Sequence, residues 1–209
     1  MSVYPKTSSM IQLTSYINRY LNITENQYIE SPQLIAHDYN IEKSTIEEYA
    51  GRQFFELIQN ADDAAVSANK KHMLISINDE KLIIANNGEP FSEQGYDSLF
   101  YSHIGPKINR DLIGNKGLGF RSILSWANEI TINSGGVSVR FSEEITKKFW
   151  DRIKTHGSVM DKVSQNIKQG SSKCPVAKLK IPEIMTEVVT EFPEYDTVIE
   201  LSLKPNIAD

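Results

Sequence analysis

Residues 44–91, STIEEYAGRQFFELIQNADDAAVSANKKHMLISINDEKLIIANNGEPF, change their hydrophobic period partway along. From about residue 44 to 68 apolar positions recur at helical spacing, which predicts one long helix. Ser44 or Thr45 would be its N-cap, and Glu47 and Glu48 would occupy the first turn, where the helix dipole favours acids. Residues 72–78 and 81–86 are then short β-type runs joined at Asn78-Asp79-Glu80, which predicts a hairpin.

Working outward, residues 10–22 have helical spacing, and a short helix is expected after Pro32, with Ser31 as cap and Leu34 and Ile35 facing inward. Beyond Asn87-Gly88 a short helix is expected over 93–101. A long loop over 102–118 follows, containing Gly105, Pro106, Gly114 and Gly117, and then a helix over 120–126. Residues 129–133 and 137–141 alternate around Gly135-Gly136 as a second hairpin. Ile145, Phe149, Trp150 and Ile153 mark another helix, residues 170–175 a loop, and 176–181 and 197–203 late strands. Helices segregated against a mixed, mostly antiparallel sheet predict an α/β (α+β) two-layer sandwich, with the helices on one face.

A length of 209 residues suits one domain. Its parts would be a helical extension over 1–44, core motifs over 45–141, a helical insertion over 142–175 and closing strands over 176–209. The net charge of −5 offers no broad attraction to nucleic acid or anionic membrane. No apolar run is long enough to span a bilayer, and the first 20 residues lack the apolar core of a signal peptide. Cys174 is the single cysteine, so no internal disulfide can form, and a cytoplasmic setting is expected. Four scattered histidines and one cysteine do not have the spacing of a zinc site.

Three segments carry chemistry. In ELIQNADDA (56–64), Glu56, Asn60 and Asp63 fall within about one sixth of a helical turn, beside an apolar face of Leu57, Ile58, Ala61, Ala64 and Ala65. A carboxylate there can deprotonate a water, and an amide oxygen can hold hydrated Mg²⁺; a solvated stripe on an amphipathic helix has the same pattern. In LIIANNGEPF (82–91) an apolar strand ends in a turn. Gly88 permits positive φ or a close backbone approach to a ligand, and Asn86 offers a donor and an acceptor to a base edge. In LIGNKGLGFRS (112–122) a glycine-rich loop opens a helix and can turn backbone N–H groups toward an anion. It is neither a Walker A loop nor a dinucleotide fingerprint, because Phe120-Arg121 follows Gly119 and Ser122 stands in the last glycine place.

In order and spacing these segments resemble the GHKL ATPases, which include gyrase-type topoisomerases, heat-shock chaperones, histidine kinases and MutL. The wording IANNGEPFS followed by IGNKGLGFRSIL is most similar to sacsin-type N-terminal ATP-binding modules. The resemblance covers roughly residues 45–141, with a weaker match at TVIELSL (197–203). It implies a Bergerat fold with a long ATP lid over 100–118, binding of ATP with Mg²⁺, and slow hydrolysis. Glu56 would be the general base, Asn60 the Mg²⁺-binding asparagine and Asp63 a wall residue. Asn86, Gly88 and Thr197 would lie at the base. Gly114, Asn115, Lys116, Gly117, Leu118, Gly119 and Phe120 would lie around the phosphates, with Lys116 offsetting charge.

The chain departs from the family pattern at Asn86-Asn87-Gly88, where most members read Asp-Asn-Gly, and at Asp196-Thr197, where Gly-Thr is usual. Asn86 can accept through Oδ1 but lacks charge, which implies lower affinity or looser base selectivity. Partners implied by the family are ATP or ADP, further domains of a longer chain, a protein partner or a second copy. The setting would be a chaperone-like, DNA-processing or defence machine. Two alternatives are a nucleotide sensor without hydrolysis and a protein-interaction domain with a decayed cleft.

Overall fold

The structure, a computed structural model, describes residues 8–67, 72–101, 118–166, 174–188, 190–205 and 207. Helices α1 (Ser8–Glu30), α2 (Gln33–Glu48) and α3 (Gln53–Ser67) precede the hairpin β1 (Met73–Ile77) and β2 (Lys81–Asn86). Next come α4 (Glu93–Phe100) and the single-turn α5 (Leu118–Arg121), which runs into a 3₁₀ turn at Ser122–Ser125. The second hairpin is β3 (Ala127–Ser134) and β4 (Val137–Ser142), followed by α6 (Glu143–Ile153) and α7 (Val159–Asn166). A two-residue β5 (Glu183–Ile184) and β6 (Thr197–Leu203) complete the sheet.

The strand order is β1-β2-β6-β3-β4-β5, and every pairing is antiparallel, so the parallel component expected of a mixed sheet is absent among the described residues. Side chains alternate across a sheet, so residues two apart share a face. Register therefore aligns Leu82, Leu201 and Ile130 in one cross-strand row, Ile84, Ile199 and Ile132 in the next, and Asn86, Thr197 and Ser134 in a third. The first two rows pack beneath Ile17 and Tyr20 of α1, Leu57 and Ala61 of α3, Phe100 of α4 and Phe120 of α5. These helices cover one face, and the result is an α+β two-layer sandwich. On the opposite face Ile83, Ala85 and Val198 form a small cluster with Phe192 and Tyr195. Tyr20 stacks on Phe100 with centroids 4.1 Å apart, and Tyr16 of α1 hydrogen-bonds Asp97 of α4, which ties the first helix to the fourth.

The expected helix over 44–68 is two helices. Gly51 adopts φ +83° between α2 and α3, a conformation that side chains oppose. Ser44 and Thr45 consequently lie in the last turn of α2, where both hydroxyls donate to the Ile41 carbonyl, and neither is an N-cap. Ser31 does not cap α2 with its side chain either: Pro32 holds the cap position without a side-chain bond, and the Ser31 carbonyl accepts from Leu34. Ile35 is fully buried, whereas Leu34 is partly exposed.

Residues 176–181 are not a strand, because a carboxylate from another element binds their backbone. Glu42 of α2, itself buried, accepts from the N–H groups of Lys178 (2.6 Å) and Leu179 (3.0 Å) and folds Lys178–Lys180 into a 3₁₀ turn. The extension and the insertion pack on each other: Tyr28 of α1 and Ile35 of α2 meet Phe149, Trp150 and Ile153 of α6 and Val163 of α7. Lys148–Glu144 and Lys154–Asp151 pairs occupy the outer face of α6. Among the described residues no helix is long and apolar enough to cross a membrane.

Gly88 fixes how closely α3 approaches the sheet. A Cβ there would lie 2.6 Å from the Ala64 carbonyl oxygen and 2.9 Å from the Ala65 nitrogen, and the next N–H, of Glu89, donates to that same carbonyl. Backbone cannot yield as a flexible side chain does. Gly88→Ala is therefore expected to cost about 1–3 kcal/mol by overpacking, read as a lowered midpoint in thermal or urea unfolding.

Candidate functional site

The third cross-strand row is polar where its neighbours are aliphatic. Asn86, Thr197 and Ser134 each have 3% of their surface exposed, and residues of α3 and α4 flank them. Ser134 and Thr197 share a 2.6 Å hydroxyl–hydroxyl bond, and Ser134 Oγ also accepts from the Phe91 N–H at 2.9 Å. Over this row lies a cleft of about 180 Å³. Asn60 and Asp63 of α3 form one wall, Ser98 and Leu99 of α4 and Phe120 of α5 another, and Asn86, Thr197 and Ile199 the floor, with Pro90 and Phe91 at the rim. Clefts that enclose drug-sized ligands span roughly 300–1,000 Å³, so this one holds a ring-sized portion of a ligand.

Five predicted site residues thus meet at one place: Asn60, Asp63, Asn86, Phe120 and Thr197. They come from three separate sequence segments and the closing strand.

Glu56 stands just outside. It is one turn before Asn60, its side chain is 19% exposed, and its carboxylate lies 3.9 Å from the Arg52 guanidinium. That carboxylate also fills the space a side chain on Gly119 would take, since a Cβ there would fall 1.9 Å from Glu56 Oε2. The absence of a side chain at 119 is what allows the carboxylate to reach the backbone of α5. Gly88 does not line the cleft. Its missing side chain accommodates the α3 backbone rather than a ligand, and its φ is not positive. Leu118 opens α5. Gly114, Asn115, Lys116 and Gly117 lie outside the described residues, as does most of the expected lid.

Asp63 and Glu89 are the charged side chains at the cleft; no lysine or arginine lines it among the described residues. An uncharged, polar-edged ring suits such a space better than a bare anion does. No cluster of three or more His, Cys, Asp or Glu residues capable of holding a metal occurs among the described residues. A dedicated cage is not what Mg²⁺ requires, however, because it keeps several waters and takes one or two protein ligands plus substrate phosphates. Asn60, with its amide at the wall, fits that donor set.

Several contributors were not assigned from sequence. Asp196, in the place where glycine was expected, accepts from the Gly88 N–H (3.2 Å), and its own N–H donates to Asn87 Oδ1 (3.1 Å). The pair joins the turn after β2 to the start of β6. Arg121 is 1% exposed and donates to the carbonyls of Leu99 (2.6 Å) and Ser98 (3.4 Å), at the C-terminal end of α4. Burial lowers its pKa, and the Glu42 carboxylate opposes that shift. Burial in turn raises the Glu42 pKa, against the two backbone N–H groups it accepts from. Tyr96 and Phe100 are buried at the base of this corner.

No protein-family model matches the chain, and no curated protein does. A functional reading therefore rests on the residues of the cleft.

Proposed function

We propose that the chain is a Bergerat-type module that binds Mg-ATP, with the base over the Asn86–Thr197–Ser134 row, and hydrolyses it slowly. The observation that carries this reading is the meeting of Asn60, Asp63, Asn86, Phe120 and Thr197 in one ring-sized cleft, with the Glu56 carboxylate at its margin. Asn86 and Thr197 would face the purine edge and Asp63 would flank it. Asn60 would supply an amide oxygen to Mg²⁺, whose chemistry when bound is to offset phosphate charge. Glu56 would take the proton of the attacking water. The phosphate roles expected of residues 114–117 belong to the same reading. A cytoplasmic module of this kind would act in a larger chaperone-like, DNA-processing or defence machine, through further domains, a partner or a second copy.

Calorimetry tests the binding. Asn60→Ala is expected to weaken Mg-dependent ATP affinity by about 10- to 100-fold, the range for losing a bond to a charged centre, with unfolding unchanged. Equal affinity in wild type and variant would remove Asn60 from the site. A protein whose melting temperature stays fixed at millimolar Mg-ATP would overturn nucleotide binding itself, because ligand at 100 times Kd adds about 2.7 kcal/mol.

The position of Glu56 outside the cleft lining, near Arg52, favours a second reading, in which the module senses ATP or ADP without hydrolysis. Binding without phosphate release would select it.

A further inference from the structure

Of the three side chains in the polar row, Ser134 and Thr197 satisfy each other, whereas Asn86 is left with an open valence. Its Nδ2 is buried and has no hydrogen-bond partner among the described residues, although the side chain lines the cleft. Buried amide N–H groups are almost always paired, so an unpaired donor on a side chain that lines a cleft points to an acceptor on what enters it. Resting on the nucleotide reading above, we propose that Asn86 makes the cleft tolerant at the purine 6-position, so that it takes 6-oxopurine nucleotides such as ITP as well as ATP.

The tolerance comes from donor polarity. A primary amide sets one acceptor beside one donor, and rotation by half a turn about its last bond exchanges them. Adenine presents an amino donor beside a ring-nitrogen acceptor. A 6-oxopurine presents a carbonyl acceptor beside a ring N–H donor. Each is a complementary pair for the amide in one of its two orientations. A carboxylate at the same place has acceptors only; it would accept from the adenine amino group and repel the 6-oxo oxygen.

The surrounding groups do not restore a preference. Thr197 and Ser134 are hydroxyls that can turn to donate or accept. Asp63 and Glu89 are the charged residues at the cleft, and they sit on the α3 wall and in the turn after β2 rather than in the polar row.

The test is calorimetric titration of the folded protein with ATP and with ITP in excess Mg²⁺, for wild type, Asn86→Asp and Asn86→Ser. Wild type is expected to bind the two within about fivefold of each other. Asn86→Asp should favour ATP by about tenfold or more, since a mismatched acceptor pair loses one bond and gains a repulsion. Asn86→Ser, which removes the amide without introducing a charge, should weaken both and leave their ratio near that of wild type. This variant keeps the comparison valid if a buried carboxylate prevents folding. Wild-type preference for ATP beyond about tenfold, or an unchanged ratio in folded Asn86→Asp, would overturn the inference while leaving ATP binding in place. Failure of wild type to bind either nucleotide would remove the underlying reading as well.

Discussion

Glu56→Gln is expected to slow phosphate release from Mg-ATP by about 100-fold or more, the lower end of what a positioned general base contributes, with little change in nucleotide affinity. The two effects separate because of where the side chain lies. Glu56 is not part of the cleft lining, so replacing it does not disturb the groups that line the cleft. Glutamine keeps the volume that rests against Gly119 and removes only the ability to take a proton. The neighbouring Arg52 is 66% exposed, and a pair so open to water contributes little to stability. Melting should therefore be nearly unchanged. A single-turnover assay reads the rate; equal rates in wild type and Glu56→Gln would remove the base assignment. Gly119→Ala supplies a geometric control. Its methyl group would collide with Oε2 and turn the carboxylate aside, so it should slow release while Glu56 remains present.

The second large effect concerns stability. Arg121→Met should cost about 2–5 kcal/mol, because two carbonyls are left without their buried donor at about 1–3 kcal/mol each. For a chain of this size that is a fall of roughly 10 °C in melting temperature. The Leu99 and Ser98 carbonyls lose their donor, and Glu42 loses one of the positive charges that favour its ionised form. Lysine would not substitute, because it has no planar fork to span two carbonyls. Glu42→Gln alone should also destabilise, since Lys178 and Leu179 donate to different carboxylate oxygens and one of these would become an NH2 group that cannot accept. The double variant should cost less than the sum of the singles, because it leaves no lone buried charge. Strict additivity in urea unfolding would show that the two residues act independently.

Elements with strong local signals were readable from the sequence. Both hairpins, α4, α6 and β6 follow from period and turn chemistry alone. So did the stripe that sets Asn60 and Asp63 on one wall, because helical geometry is local. What could not be read depends on distant partners. The single glycine at 51 is tolerated inside many helical patterns, and its positive φ becomes evident only in the folded chain. Residues 176–181 have the composition of a strand, yet their backbone is claimed by Glu42, 136 positions away. Arg121 was visible only as the residue after a glycine-rich loop; its burial depends on carbonyls 22 and 23 positions earlier. Asp196 looked like a departure from a pattern until its bonds to the turn after β2 placed it.

The strand order has a consequence for biosynthesis. β6 comes last among the strands along the chain but lies third in the sheet, between β2 and β3. Before residues 197–203 emerge from a ribosome, the β1–β2 and β3–β4 pairs have no common neighbour, and an isolated two-stranded hairpin is marginal in water. Closure must then bring together segments more than 60 positions apart, which slows folding relative to local pairing. Nascent molecules would accordingly pass through a stage with two unprotected sheet edges and an unfinished cleft floor, because Thr197 and Ile199 join it only once β6 has inserted.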